Sequence, residues 1–285
     1  MGYSFSSLSR ILDQGKQFQG KSIVTLGTLY PYLDKQESII LAKRGLCVDM
    51  PKELFSKHLF VEVLGASTCH SLDVSDYQKS EIICNLNLPL PEQFIGQYDV
   101  VIDAGTLEHL SNLSTALENL FKLLKNEGVY YFSVPCNNWV DHGFYQFSPT
   151  FFIDFCIDNP DFKLFDLHIS TAKKNYYYSS MNPWFRRALL SSRQRLVVGG
   201  VIQKQGCRIN LNLTQSKYRE QYITDKFDLT NKNSKNFLFS LRNSTNQFAS
   251  IAMLQFCTSP WIPLKFKELI LNQLYRLKNF FSSTN

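Results

Sequence analysis

Two short stretches of the chain concentrate side chains that can move protons. Cys136 to Ser148 reads CNNWVDHGFYQFS, which sets Asn137, Asn138, Asp141, His142, Tyr145 and Gln146 among aromatic residues. An imidazole titrates near neutral pH, so His142 could take a proton from an acceptor hydroxyl while Asp141 or Asn138 orients the ring. The second stretch is Glu108-His109, where His109 offers an alternative base. Asx turns would account for the Asn and Asp content of the first stretch equally well, and a helix-cap role for His109. Two histidines and several carboxylates permit a metal site, but their spacing matches no metal motif, so none is expected.

These residues need elements to place them. Ser22–Gly27 is a compact apolar strand ending in glycine, and Tyr32–Val48 reads as a helix through Ile39, Ile40, Leu41 and Leu46. Asp49–Gly65 is less regular. Ala66–Asp73 and Glu81–Leu86 read as the second and third strands, with Pro89 and Pro91 marking a loop. Tyr98–Asp103 is a fourth strand. Asn112–Leu124 is a helix with Ser114 as a candidate cap, and Val129–Val134 is a fifth strand. A helix over Ser148–Asn159 and a sixth strand over Phe162–Ile169 follow. Such alternation predicts an α/β, Rossmann-like doubly wound sheet, mostly parallel, that binds ligands beyond the carboxyl ends of its strands. Ser250–Cys257 is expected to pair antiparallel with the sixth strand as the last one. Residues 1–169 and 249–260 then form the core, 170–248 a long insertion, and 261–285 a C-terminal amphipathic helix.

The run from Tyr98 to Pro135 carries a resemblance. An apolar strand ends in Asp103, Glu108-His109 follows, and a helix closes on Leu123-Leu124-Lys125-Asn126-Glu127-Gly128 before the next strand. That order resembles the back half of class I S-adenosylmethionine-dependent methyltransferases, and the DHGFYQFSP segment resembles a loop of one bacterial group of them. The resemblance implies S-adenosylmethionine as cofactor. It places Gly27 and Thr28 at the first glycine turn, Asp73 on the ribose diol, Asn85-Leu86 beside the adenine, and Asp103 where it orients cofactor or substrate. It implies His142 or His109 as base. The first motif departs from the family pattern, with Thr25 at the acidic position and Leu29 and Pro31 at the later glycine sites.

Composition narrows the partners. The net charge is +6, and no Asp or Glu occurs from Leu167 to Arg219, a stretch that would attract an anionic small molecule or glycan acceptor. Tyr176, Tyr177, Tyr178, Trp184 and Phe185 interleave with those charges, yet no RNA-binding module is recognisable, so nucleic acid is not the expected partner. The basic amphipathic helix Pro263–Phe281 docks on the core or meets an anionic membrane surface. Seven cysteines without a C-x-x-C pair point to free thiols in a reducing, cytoplasmic setting, and no signal peptide is read at the N-terminus. The alternative to an enzyme is a non-catalytic interaction module on the same fold.

Overall fold

The computed structural model describes residues 2–173, 175–177 and 192–213, all within one compact unit. A strand Gly2–Ser4 (β1) leads into helix Phe5–Asp13 (α1), whose start is capped by Ser4 Oγ accepting the Ser7 amide. Ser22–Leu26 (β2) follows, then a short strand Tyr30–Tyr32 (β3) that pairs parallel with β1. The helix expected from Tyr32 therefore begins later, as Lys35–Ala42 (α2), because β1 claims the residues before it. Asp34 and Glu37 form a reciprocal capping box at its start, and Gly45, with φ +85°, lets the chain turn away after its end. The expected irregular connector is helical: Lys52–Lys57 (α3) continues as a π-helical turn through His58–Val63.

Thr68–Asp73 (β4), Ile82–Ile83 (β5), Tyr98–Asp103 (β6), helix Leu113–Leu123 (α4) and Leu124–Asn137 (β7) come next. Asn112, rather than Ser114, caps α4 by accepting the Thr115 amide. Helix Pro149–Asp158 (α5) starts at the Ser148-Pro149 pair, with Ser148 Oγ accepting from Thr150 and proline at the first turn. Strands Phe162–Ser170 (β8), Asn175–Tyr177 (β9) and Leu196–Lys204 (β10) complete the order.

One eight-stranded sheet runs β5-β4-β2-β6-β7-β10-β8-β9. β4, β5, β6 and β7 extend β2 in parallel, whereas β10 is antiparallel to both β7 and β8. The doubly wound, mostly parallel sheet expected from the sequence is thus present, but its late antiparallel strand is Leu196–Lys204. That segment lies inside the stretch 170–248 read as an insertion, so residues 196–204 belong to the core sheet. Its sequence LVVGGVIQK lies among basic residues and carries two glycines, which together mask a strand signal, although five of its nine residues are β-branched or apolar. Ser250–Cys257 and the 261–285 helix lie outside the described residues.

Two layers cover the sheet. On one face Ile23, Val100, Ile102 and Tyr131 pack with Tyr3, Leu8, Phe18, Leu59 and Phe60. On the other, aromatic rings pack together: Phe132 stacks on Phe152 at 3.9 Å and Phe121 on Phe155 at 5.0 Å, with Phe162 tilted against Phe121 at 4.5 Å. Each such pair adds about 0.5–1.5 kcal/mol beyond its buried area, so ring packing dominates this layer. Lys204 is buried and spends its ammonium on the Phe121 and Leu124 carbonyls at 2.9 and 2.8 Å, closing the free end of α4. Among the described residues the six cysteines are all free thiols, and no helix is long and apolar enough to cross a membrane.

Candidate active site at the carboxyl ends of the parallel strands

Because β2, β4, β6 and β7 run parallel, their carboxyl ends share one edge of the sheet, and the chemistry-bearing residues collect there. β2 ends in a turn held from three sides. The Gly27 amide donates to the Leu72 carbonyl at 2.7 Å, Thr25 Oγ1 donates to the Gly27 carbonyl at 2.8 Å, and Thr106 Oγ1 donates to the Leu26 carbonyl at 2.6 Å. Gly27 sits at φ +83°, a left-handed conformation that glycine adopts without steric cost. Thr25, which stands where the family pattern has an acid, is fully buried and works as a brace for this turn. Leu29 turns inward and joins the core, so its side chain is directed into the packing beneath the turn.

The other residues assigned to the cofactor divide by exposure. Asp73, at the end of β4, is half-buried, and its Oδ1 accepts the Ser75 amide at 3.3 Å. Thr28 is buried, with its hydroxyl bonded to Ser80 Oγ at 3.0 Å and the Gln78 carbonyl at 3.3 Å. Its side chain therefore braces the loop instead of facing a ligand. Leu86 is likewise buried, and the Asn85 side-chain oxygen accepts from the Asn87 backbone and side-chain amides. The buried Asn119 clamps this loop: it accepts the Leu90 amide and donates to the Leu86 and Leu88 carbonyls.

Asp103 differs from its expected role. It is 1 % exposed, its Oδ1 accepts the Thr106 amide at 2.8 Å, and its Oδ2 accepts the Tyr130 hydroxyl at 2.9 Å. Burial raises its pKa to about 6 against the lowering effect of these hydrogen bonds. Asp103 thus shapes the turn that follows β6 and is not presented to a ligand.

That turn carries the centre of the site. Leu107–His109 is a single 3-10 turn that buries Glu108 completely. Neither Glu108 carboxylate oxygen has a hydrogen-bond partner among the described residues. Desolvation, and secondarily the charge of Asp103, raises its pKa to about 8. His142 Nε2 stands 3.5 Å and His109 Nε2 3.8 Å from the same Glu108 oxygen, Oε1. The two imidazoles meet edge to face at 5.0 Å, and Trp139 packs on His142 at 4.7 Å. Burial lowers the pKa of both histidines, which keeps the rings neutral and able to accept a proton at pH 7.

His142 reaches this position because its loop is tied to the turn after β6. The Phe144 and Tyr145 amides both donate to the Glu108 carbonyl, at 2.7 and 3.3 Å, and Tyr145 Oη donates to the Ser111 carbonyl. Asn138, at φ +64°, donates to the Ser192 and Gln194 carbonyls, and Trp139 Nε1 to Leu196, which anchors the loop to the strand entering the sheet. Asp141 was expected to orient His142. It is instead exposed at φ +63°, and among the described residues its side chain forms no hydrogen bond or ion pair. The carboxylate facing His142 is Glu108, thirty-four positions earlier, and Glu108 is the site residue that sequence reasoning passed over in favour of its neighbour. Its signal was an acid directly before a histidine at a strand's carboxyl end.

Gly143 makes the approach possible. It has φ +83°, and a Cβ there would stand 2.9 Å from the Glu108 carbonyl oxygen and 3.2 Å from His109 Nδ1. Gly143→Ala is expected to cost about 1–3 kcal/mol and to displace His142. Thermal unfolding measures this, and a variant as stable as the parent would show that the loop does not depend on the close approach.

No family model matches the chain, and no curated protein matches it in sequence. Solved structures do. A 1,6-didemethyltoxoflavin-N1-methyltransferase from Burkholderia thailandensis, with 1,6-didemethyltoxoflavin and S-adenosylhomocysteine bound, aligns at 13 % identity with a TM-score of 0.42, over 71 % of this chain and 78 % of that one. An S-adenosylmethionine-dependent methyltransferase from Aquifex aeolicus aligns at 12 % identity and TM-score 0.40, over 69 % and 90 %. The N-methyltransferase NodS from Bradyrhizobium japonicum WM9 aligns at 12 % and 0.41, over 70 % and 94 %. At these values the fold assignment rests on the chain's own strand order and register.

Proposed function

We propose that the protein is an S-adenosylmethionine-dependent methyltransferase acting on an oxygen or nitrogen of a polar small molecule or glycan. The observation that carries this reading is the shared sheet edge. It sets a glycine turn and an acid at the ends of β2 and β4 beside a Glu-His-His cluster at the ends of β6 and β7. The residues fit the cofactor: Gly27 places no Cβ at the turn, Leu29 is packed into the core beneath it, and the Asp73 carboxylate is able to accept both ribose hydroxyls. The cofactor would supply the electrophilic methyl group. His142 would accept the proton that the acceptor atom gives up, with Glu108 Oε1 3.5 Å from its Nε2 and Trp139 packed on the ring. Arg195 lies over the Trp139 ring at 4.9 Å, a cation at the rim of the site that supports an anionic acceptor.

Calorimetric titration with S-adenosylhomocysteine tests the reading. Micromolar binding is expected, weakened about 100-fold or more in Asp73→Ala, since two hydrogen bonds to a charged acceptor are lost. Unchanged binding in that variant would remove Asp73 from the ribose role. No binding to folded protein would favour the interaction module, the reading in which Thr25 and the buried Thr28 hydroxyl serve packing alone.

A further inference from the structure

We infer that Glu108, His109 and His142 form a binding site for one divalent transition-metal ion. Three observations converge on it. First, Glu108 is fully buried and neither carboxylate oxygen takes part in a hydrogen bond among the described residues, an arrangement that folded proteins avoid unless a cation or donor completes it. Second, the Nε2 atoms of two imidazoles lie 3.5 and 3.8 Å from one oxygen of that carboxylate, and the three ligand atoms lie within 4.8 Å of one another. With metal–ligand bonds of about 2.0–2.2 Å, donor atoms around a bound ion stand about 3.0–3.5 Å apart, so closure by about an ångström completes the site. Third, the donors come from two segments that are fastened to each other by the Phe144 and Tyr145 amides, so much of the ordering is done before an ion arrives.

The donor set decides the class of ion. Two imidazole nitrogens and one carboxylate suit Zn²⁺, Fe²⁺, Co²⁺ or Mn²⁺, whereas Ca²⁺ and Mg²⁺ take oxygen ligands throughout. Three protein ligands leave coordination positions open, and the partly exposed histidine side chains, 41 % for His109 and 37 % for His142, put those positions toward solvent. The sequence hides this site because its ligands sit at 108, 109 and 142, a spacing that folding alone brings together. If the protein is a methyltransferase, as proposed above, an ion here would bind the acceptor oxygen and lower its pKa, which replaces the base role given to His142, whose Nε2 is then a ligand. That role rests on the methyltransferase reading; metal binding itself does not.

The test is titration of the full-length, chelator-treated protein with Co²⁺, followed by visible ligand-field absorption and by calorimetry, with Zn²⁺ as competitor. One equivalent is expected to bind with micromolar or tighter affinity and to be displaced by Zn²⁺. Glu108→Gln keeps the side-chain volume and is expected to weaken binding about 100-fold, as is His142→Ala; His58→Ala, at the His58–Glu62 pair, should leave it unchanged. No Co²⁺ binding to wild-type protein that melts cooperatively overturns the inference. So does binding that Glu108→Gln and His142→Ala both leave intact. S-adenosylhomocysteine titration of the same samples separates the two readings. Cofactor binding without Co²⁺ binding removes the metal and spares the methyltransferase, and the reverse result does the opposite.

Discussion

Glu108→Gln is expected to stabilise the metal-free protein at pH 8.5 by about 2–3 kcal/mol and to flatten the fall in its stability from pH 6.5 upward. The sign follows from burial. The fold raises the Glu108 pKa from 4.5 to about 8, so across that interval the folded state keeps a proton that the unfolded state releases. Stability is therefore highest below the unfolded value and is lost as pH rises through the folded one. Asp103, raised to about 6, acts in the same direction and shares the titration, which is why the effect is smaller than Glu108 alone would imply. Around Glu108 stand His109 and His142, at 3.8 and 3.5 Å from its Oε1, and Asp103, whose charge adds to the rise and whose Oδ2 accepts the Tyr130 hydroxyl. The histidine pKa values are lowered, so they contribute the opposite slope, losing stability as pH falls through the acid range. Between pH 7.5 and 8.5 the histidines are neutral in both states, so the fall in that interval comes chiefly from Glu108. Urea unfolding with chelator present gives the numbers. A variant less stable than the parent at pH 8.5, or one with the same pH slope, would mean that Glu108 is satisfied in a way its surroundings do not show.

Gly200→Val is expected to be the most damaging single change outside the site, costing about 3–5 kcal/mol. β10 lies between β7 and β8, where Gly200 is paired with Phe132 on one side and Leu167 on the other. A Cβ there would stand 2.4 Å from the Asp166 carbonyl oxygen and 2.6 Å from the Phe132 ring. The first obstacle is backbone and cannot rotate away. The second belongs to the stacked aromatic layer, in which Phe132 lies 3.9 Å from Phe152. Gly45→Ala is the contrast: an added Cβ meets nothing within 4 Å, so only its φ of +85° is strained, at about 1 kcal/mol. Circular dichroism melts of the two variants compare these costs. A Gly200→Val protein within 1 kcal/mol of the parent would show that β10 can shift within the sheet at little cost.

What could be read from sequence follows the strength of local signals. Tyr98–Asp103 was found to the residue because a buried parallel strand is a continuous apolar run. Pro149 and Ser148 marked the start of α5 with equal clarity. β5 shrank to two residues, and α2 began late because pairing with Gly2–Ser4, a contact across twenty-eight positions, overrode helical spacing. β10 was missed for a different reason: its two glycines dilute the apolar signal, yet they are required by the close approach of neighbouring strands. At the site, His142 and His109 were legible as residue types at strand ends. Their partner was not, since proximity to Glu108 arises from a loop folding back onto a turn.

The position of β10 also bears on how the chain is made. Both edges that it joins, one on β7 and one on β8, are complete by residue 170, yet the strand that fills the gap ends only at residue 204. During synthesis the ribosome must therefore deliver some thirty further residues while two apolar strand edges stay open. Open edges of this kind recruit other chains, and the non-local closure that removes them is slow. Aggregation of nascent or refolding protein should depend most on the interval before β10 docks, so that lowered growth temperature or chaperone supply would improve its recovery more than changes to the loops of the candidate site.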